Sequence, residues 1–280
     1  MIEALLAPFQ FEFGRQAIVV AVLVAATCAV LSCFLVLRGW ALLGDAISHG
    51  VLPGVVLAYM LGFPLLVGAF AAGLFCSVAT GYLAVHSRVK EDTVMGVVFS
   101  GMFALGLVLY TSIRTDVHLD HILFGNILGV DRGDIWRTTL IAALTLGVVV
   151  GLRRDLLLWC FDETHARAAG LRVGWLRYSF LGLLSLAIVG AMEAVGIILV
   201  IALLIAPGAT GFLVADRFGT MMLVSVLAAV ASAVLGVLLS FTVDAATAPS
   251  IVLVLTALFL VAFVLAPKRG LLAARVRSES

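Results

Sequence analysis

Long apolar runs without charge are the feature that most constrains how this chain can fold. Residues 16–37, QAIVVAVLVAATCAVLSCFLVL, contain no charged side chain. They are long enough to cross a bilayer as a helix, which takes about 20 residues. Similar runs recur along the sequence, which is 64% hydrophobic and 12% charged, with a mean hydropathy of +1.24. This composition predicts an all-α integral membrane protein.

The apolar runs predict the number of membrane spans. We expect spans at 16–37, 65–85, 93–113 and 135–152, two within 178–215 that turn near 191–196, then 219–240 and 247–266, with a short or broken helix at about 45–62. Basic residues in short loops mark the cytoplasmic side, which places 86–92, 153–177 and the basic tail 267–280 inside the cell. The chain 1–280 then forms a single transmembrane domain. It has eight spans with both ends cytoplasmic or, as the alternative, nine with the N-terminus outside.

The segment 38–54, RGWALLGDAISHGVLPG, interrupts the apolar pattern with an acid and an imidazole. Asp45 and His49 are four residues apart, which places both on one face of a helix. Ionisable groups at membrane depth cost about 2.5 to 3.5 kcal/mol each and usually mark an ion or substrate pathway. Carboxylate and neutral imidazole are ligands suited to a divalent cation such as Mn, Fe or Zn. The alternative is a purely structural pair, with Asp45 as a helix N-cap and His49 as an interior histidine.

Other acids and histidines are candidates for the same pathway. Glu193 interrupts the apolar run 178–215, where it either faces the pathway or caps the turn at the outer surface. A second group lies in the outer loop 114–134 and consists of Asp116, His118, Asp120 and His121. This group either holds a metal on its way in or belongs to a solvated loop.

Proline and glycine predict breaks that would shape the pathway. Pro53 follows His49 closely, and a proline in mid-helix frees backbone groups that need a protein partner or a water-filled path. Pro207 is expected to bend its helix. Asn126 lies in the apolar, glycine-rich segment 124–129, which has the character of a re-entrant hairpin.

The cytoplasmic loop 161–175, FDETHARAAGLRVGW, predicts a short capped helix. Asp162 is suited to the N-cap, Glu163 favours the helix start, and Arg167 lies toward the far end. Gly170 is a natural stop. Such a slim helix either docks in a groove on a partner protein or lies along the membrane surface.

Several functions are excluded or disfavoured. The net charge of +1 and the lack of a basic block argue against nucleic acid as a partner. The four cysteines show no paired-ligand spacing and are expected to be small core residues. The lysines of the chain, Lys90 and Lys268, stand in VKE and PKR, so the sequence contains no GxxxxGK[ST] phosphate loop. If the chain belongs to an active transporter, its energy comes from another subunit or an ion gradient.

Several blocks in register resemble one known family. They are FLVLRGWALLGDAISHGVLPGVVLAYMLG, KEDTVMGVVFSGMFALG, HILFGNILGV, FDETHARAAGL, VGIILVIALLIAPGAT and PSIVLVLTALFLVAFVLAPKRGLL. Together they resemble the metal-ion ABC transporter permeases for manganese, zinc and iron, over about residues 8–272. The closing APKRGLL and the GW after Arg38 are most similar to the chelated-iron/manganese branch, with the zinc-uptake branch as the alternative.

The resemblance implies a permease of the type II ABC importer kind in the bacterial inner membrane, not an enzyme and without a permanently bound cofactor. The implied partners are separate ATPase subunits, a second permease and an extracytoplasmic metal-binding protein. Asp45 and His49 match the family's translocation path. The coupling helix at 161–171 would contact the ATPase through Asp162, Glu163, His165, Ala166, Arg167, Ala169 and Gly170.

The sequence departs from the family pattern at two places. Glu193 stands where an uncharged Gln is expected, and could add a ligand or a titrating group. The segment 243–249, VDAATAP, lacks the usual glycine after the Asp. Two rival functions are an intramembrane metalloenzyme using Asp45, His49 and Glu193, and a proton-coupled secondary transporter.

Overall fold

The computed structural model describes residues 9–112 and 127–266, and those residues form helices joined by short turns, without strands. The helices are α1 (Glu12–Arg38), α2 (Leu43–Gly50), α3 (Leu52–Leu61), α4 (Leu65–His86), α5 (Glu91–Thr111), α6 (Arg132–Gly151), α7 (Arg153–Phe161), α8 (Glu163–Ala168), α9 (Val173–Val195), α10 (Ile197–Val214), α11 (Phe218–Val243) and α12 (Thr247–Leu265). A single 3₁₀ turn, Ile127–Gly129, precedes α6. The all-α membrane fold is confirmed.

Helix α1 forms the centre of the bundle, packed mainly against α10 and α11 with α6 on another side. Ala17, Ala21, Ala25 and Ala29 recur every four residues and are all buried. Small residues at this spacing form a stripe along which neighbouring helices can approach closely, as membrane helices require. The apolar run at 16–37 is therefore the core of the fold.

Three interruptions divide the apolar sequence into helices. Gly39 adopts a left-handed conformation (φ +77°) and ends α1. Pro53 is the second residue of α3, where its missing N–H is tolerated, and the chain breaks at Val51 as the sequence predicts. Gly196, with φ +83°, separates α9 from α10 within the predicted turn.

Nine segments of the described residues are long and apolar enough to cross a membrane, with α2 and α3 counted together as Leu43–Leu61. Contacts at the ends of the bundle agree with this count. Arg38, at the end of α1, pairs with Glu91 and Glu163, both in loops that the sequence places inside the cell. Glu12, at the start of α1, pairs with Arg132 of an outer loop at 2.9 Å. Helix α1 thus starts outside, so the alternative with nine spans fits better than eight.

Pro207 is buried inside α10, and the helix continues past it. The next residue, Gly208, donates its backbone N–H to Ser32 Oγ of α1 at 2.9 Å. The Ser32 hydroxyl donates in turn to the Ile205 carbonyl at 3.3 Å. The proline site is therefore joined to the central helix. Asn126, the outer group at 116–121 and the tail 267–280 lie outside the described residues.

Candidate functional site

Helix α2 is buried on every side except where Asp45 and His49 lie. Its other residues are all buried, whereas the side chains of Asp45 and His49 are 36% and 29% exposed. Glycines allow this close packing. A Cβ on Gly44 would lie 2.8 Å from a side chain of α10, and one on Gly50 would lie 2.7 Å from a side chain of α4. Asp45 and His49 are thus the residues of α2 whose side chains are accessible from outside this chain.

The predicted pairing of Asp45 with His49 is present. Asp45 Oδ1 lies 3.3 Å from His49 Nε2 across one helical turn. The N-cap interpretation of Asp45 does not hold, because α2 begins at Leu43 and its N-cap position, Leu42, makes no side-chain cap. One carboxylate and one imidazole nitrogen therefore stand together on the open face, and both are donor types that divalent transition metals accept.

Two phenylalanines of α5 hold the ring of His49. Its centroid lies 5.6 Å from that of Phe99 and 5.4 Å from that of Phe103, the latter edge-on at 81°. Edge-to-face aromatic pairs fix ring orientation. Sequence reasoning missed both residues. Their spacing of four within one apolar helix is a signal, but the sequence alone does not say that this face of α5 meets α2.

Pro53 adds a backbone group to the same neighbourhood. It has no N–H to donate to the carbonyl four residues earlier, which is that of His49. The His49 carbonyl oxygen therefore lacks its usual helical donor and is approached instead by the Val51 N–H, which it shares with the Ile47 carbonyl. The break between α2 and α3 follows directly.

Glu193 lies apart from Asp45 and His49. It lines a cavity of about 190 Å³ together with Val55, Val189 and residues at the start of α4. Val55 is ten residues beyond Asp45, on the order of 15 Å along a helix axis. Glu193 therefore faces a cavity on the outer side of the pair and does not belong to one compact ligand group with it. The described residues contain no group of three or more His, Cys, Asp or Glu that could hold a metal ion.

The predicted cytoplasmic helix is α8. The Asp162 side chain caps it by accepting from the His165 backbone N–H at 2.9 Å, and Gly170 ends it with φ +82°. Asp162, His165, Arg167, Ala169 and Gly170 are exposed and available to a partner. Ala166 is fully buried. Because its side chain faces the rest of the chain, it anchors the helix instead of facing a partner.

Glu163, the first residue of α8, accepts from three arginines. Its Oε2 lies 2.7 Å from Arg177 and 3.1 Å from Arg38, and its Oε1 lies 2.5 Å from Arg167. Partial burial alone would raise the pKa of Glu163, but the charges of Arg177 and Arg38 and the hydrogen bonds from Arg167 and Arg177 outweigh it, so the pKa is lowered. Glu163 is held as a carboxylate.

Arg38 connects this carboxylate to the membrane helices. Its guanidinium lies 5.5 Å from the ring centroid of Trp40 and 5.2 Å from that of Trp159. Trp40 donates its indole N–H to Glu91, which also lies 3.9 Å from Arg38. Sequence reasoning did not find this arrangement, called here the Glu163 cluster, which comprises Arg38, Glu91, Glu163, Arg167 and Arg177.

Comparison with known proteins gives consistent matches over almost the whole chain. A family model described as the ABC 3 transport family matches residues 10–266. The chelated iron transport system membrane protein YfeD of Yersinia pestis is 55% identical over 257 residues, covering 92% of this chain and 86% of that protein. The manganese transport system membrane protein MntB of Synechocystis sp. is 50% identical over 276 residues, covering 99% and 90%.

A solved structure matches as well. A chain of PsaBC from Streptococcus pneumoniae in complex with Fab superimposes with a TM-score of 0.86 at 36% identity, covering 100% of both chains. The arrangement of helices around the Asp45–His49 pair therefore has an experimentally determined counterpart.

Proposed function

The chain belongs to the ABC 3 transport family, and from that premise we propose which metal it carries, by which residues and with which partners. It is the permease subunit of a metal ABC importer and a multi-pass protein of the bacterial inner membrane. We propose Mn(II) or Fe(II) as its substrate. The relatives named above are manganese and chelated-iron transport proteins, and a carboxylate with an imidazole suits either ion.

We propose that the metal passes Asp45 and His49. The observation that carries this assignment is the exposure of these two side chains, paired at 3.3 Å, on a helix whose other residues are buried. Ionisable groups at membrane depth cost free energy and usually mark an ion or substrate pathway. Two donors do not complete a transition-metal shell, so a second permease would supply a matching pair across the pore.

Glu193 and the helix breaks would shape the route to this pair. The cavity lined by Glu193 lies toward the outer end of α9, where a carboxylate can attract a cation before it reaches Asp45. The carbonyl of His49, left without its helical donor by Pro53, is an additional oxygen near the pair. The roles of Asn126 and Pro207 in shaping the path stay predictions from the sequence.

Separate ATP-binding subunits would drive transport through α8. Asp162, His165 and Arg167 are exposed at the cytoplasmic end of the bundle, where a partner protein can bind them. ATP binding and hydrolysis would then alternate access to Asp45 and His49 between the two sides of the membrane. An extracytoplasmic binding protein would deliver the metal. The metalloenzyme and proton-coupled alternatives are disfavoured because the relatives are transport permeases.

Metal uptake into vesicles tests the path. Vesicles holding the permease, its ATPase and its binding protein should take up Mn(II) or Fe(II) with ATP, and Asp45→Ala or His49→Ala should reduce uptake roughly 100-fold or more, since each removes a metal ligand. Asp92→Ala and His86→Ala are matched controls, because both side chains are exposed at the cytoplasmic surface. Normal uptake in either ligand variant would refute the assignment. Uptake of zinc alone would change the metal and keep the permease.

A further inference from the structure

The short helix α8 is attached to the membrane helices by two of its side chains. Ala166 is fully buried, Glu163 is partly buried, and the remaining side chains of α8 are exposed. Among the residues that the structure describes, Glu163 is the one member of α8 whose side chain bonds to membrane helices. Besides its backbone connections to α7 and α9, α8 is therefore coupled to the bundle through one apolar contact and one carboxylate.

The partners of that carboxylate lie on two helices that approach the cytoplasmic end from different directions. Arg177 belongs to the first turns of α9 and its side chain is 8% exposed. Arg38 is the last residue of α1 and its side chain is 17% exposed. Guanidinium groups in such shielded settings bind carboxylates more strongly than at an open surface, where ion pairs contribute little. The bonds from Glu163 to Arg38 and Arg177 are thus suited to transmit displacement.

Arg38 is connected by a short turn to the helix that carries Asp45 and His49. It is followed by the left-handed Gly39 and by Trp40, which is 2% exposed and donates to Glu91. Helix α2 begins at Leu43, and Asp45 is seven residues beyond Arg38 along the chain. The two tryptophans that flank the Arg38 guanidinium fix its position. A shift of Arg38 can therefore be passed to the start of α2 through the short turn 39–42, in which the Leu43 N–H donates to the Trp40 carbonyl at 3.0 Å.

From these contacts we propose that the Glu163–Arg38 ion pair is the connection through which displacement of α8 reaches the helix that carries Asp45 and His49. The inference rests on the proposed function, in which an ATPase subunit binds α8. Glu163 is a positioning residue, because its carboxylate bonds to Arg38, Arg167 and Arg177 and is not part of the Asp45–His49 pair. Its role is to keep the movement of α8 and the state of the metal path linked, so that ATP hydrolysis does not proceed without transport.

Glu163→Gln tests the connection in the complete complex of permease, ATPase and binding protein, reconstituted in vesicles. Both Mn(II) uptake and ATP hydrolysis are measured, and their ratio is the readout. We expect the ATPase to copurify and to hydrolyse ATP while uptake per ATP falls roughly 10-fold, because an uncharged amide cannot hold two guanidinium groups. Glu12→Gln is the matched control. It breaks an exposed ion pair at the opposite end of the bundle and should leave the ratio unchanged.

Variants of Arg38 keep the test decisive if Glu163→Gln assembles poorly. Arg38→Lys retains the charge but loses the planar fork, so uptake per ATP should fall partially. Arg38→Gln should also lower uptake per ATP, and the loss in the double variant should be smaller than the product of the two single losses, because the two variants share the Glu163–Arg38 bond. A purely structural role predicts instead that the ATPase dissociates, or that uptake and hydrolysis fall together. An unchanged ratio, or such a parallel loss, overturns the inference.

Measurements on the wild-type complex distinguish failure of the proposed transport function from failure of the proposed ion-pair connection. If it shows no ATP-dependent Mn(II) or Fe(II) uptake, the proposed function itself fails. If it transports normally and the Glu163 and Arg38 variants keep the same uptake per ATP, only the connection through the ion pair is refuted.

Discussion

At the scale of single residues, the proposed metal path depends on how His49 is oriented. The imidazole has Asp45 on its own helix and the rings of Phe99 and Phe103 on α5. The aromatic contacts leave Nε2 directed at the carboxylate, where a metal ion would replace the present contact. In the proposed path, the orientation of the His49 ring therefore decides whether both donors could bind the same ion.

Phe103→Leu should weaken metal capture without abolishing transport. The edge-on contact of Phe103 with His49 contributes about 0.5–1.5 kcal/mol beyond the buried area, which corresponds to a roughly 2- to 10-fold increase in the Mn(II) concentration for half-maximal uptake. The measurement is initial uptake against Mn(II) concentration. Phe75→Leu, at a side chain that is 62% exposed on α4, is the control. An unchanged half-maximal concentration in Phe103→Leu would contradict the positioning role.

The sequence predicts the Asp45–His49 pair because its geometry is local: four residues of helix place the two side chains together whatever the rest of the chain does. The same reasoning fails for Phe99 and Phe103. Which face of α5 lies against α2 depends on the packing of helices that are distant in sequence. Apolar periodicity does not reveal that packing when lipid and protein contact both favour apolar residues.

At the scale of helices, glycines at particular crossings allow two helices to approach each other closely. Gly54 of α3 and Gly68 of α4 face each other, and a Cβ on either would lie 2.1–2.2 Å from the backbone oxygen of the other. Gly106 is likewise close to α3, but Gly96 and Gly101 have no atom within 4 Å of a built Cβ. Of these three glycines, Gly106 is therefore the one that permits close packing within this chain.

Gly54→Ala should destabilise the crossing of α3 and α4. The added methyl group meets backbone atoms that cannot rotate away, and overpacking of this kind costs about 1–3 kcal/mol. The thermal midpoint of the detergent-solubilised protein should fall by several degrees. Gly147→Ala, where a Cβ meets nothing within 4 Å, should leave the midpoint unchanged or raise it slightly, since alanine favours helix. Equal midpoints for the two variants would show that the crossing is not tight.

The positions of the helices are largely predictable from the sequence because the signals for helix ends are local. Contacts between helices are harder to predict because they depend on the completed fold. The ends of the apolar runs coincide with charged or glycine residues, so the bounds of most spans were expected within a few residues. The cap at Asp162 and the stop at Gly170 were also predictable because both are local. The burial of Ala166 was not, since a short alanine-rich helix gives no indication of which face meets the bundle.

At the scale of the whole molecule, the two ends of the bundle carry different arrangements of charge. The cytoplasmic end holds the Glu163 cluster, in which the directly bonded Arg38 and Glu163 are 125 residues apart in sequence. The outer end holds the exposed pair of Glu12 and Arg132. Basic residues in loops predict the sides of the membrane but not their partners, because long-range ion pairs depend on the completed fold.

The open face of α2 would make the proposed metal site incomplete in one chain, and this predicts a stoichiometry that can be measured. Asp45 and His49 supply two side chains, and Glu193 lies elsewhere. Since Mn(II) prefers a larger set of oxygen and nitrogen donors, a pore built from two permeases should bind about one Mn(II) per two permease chains. Electron paramagnetic resonance of free Mn(II) during titration of the purified complex counts the bound ions, and Asp45→Ala should abolish this class of site. Binding of about one Mn(II) per permease chain would instead mean that each chain completes its own site. The partner permease would then have no part in holding the metal.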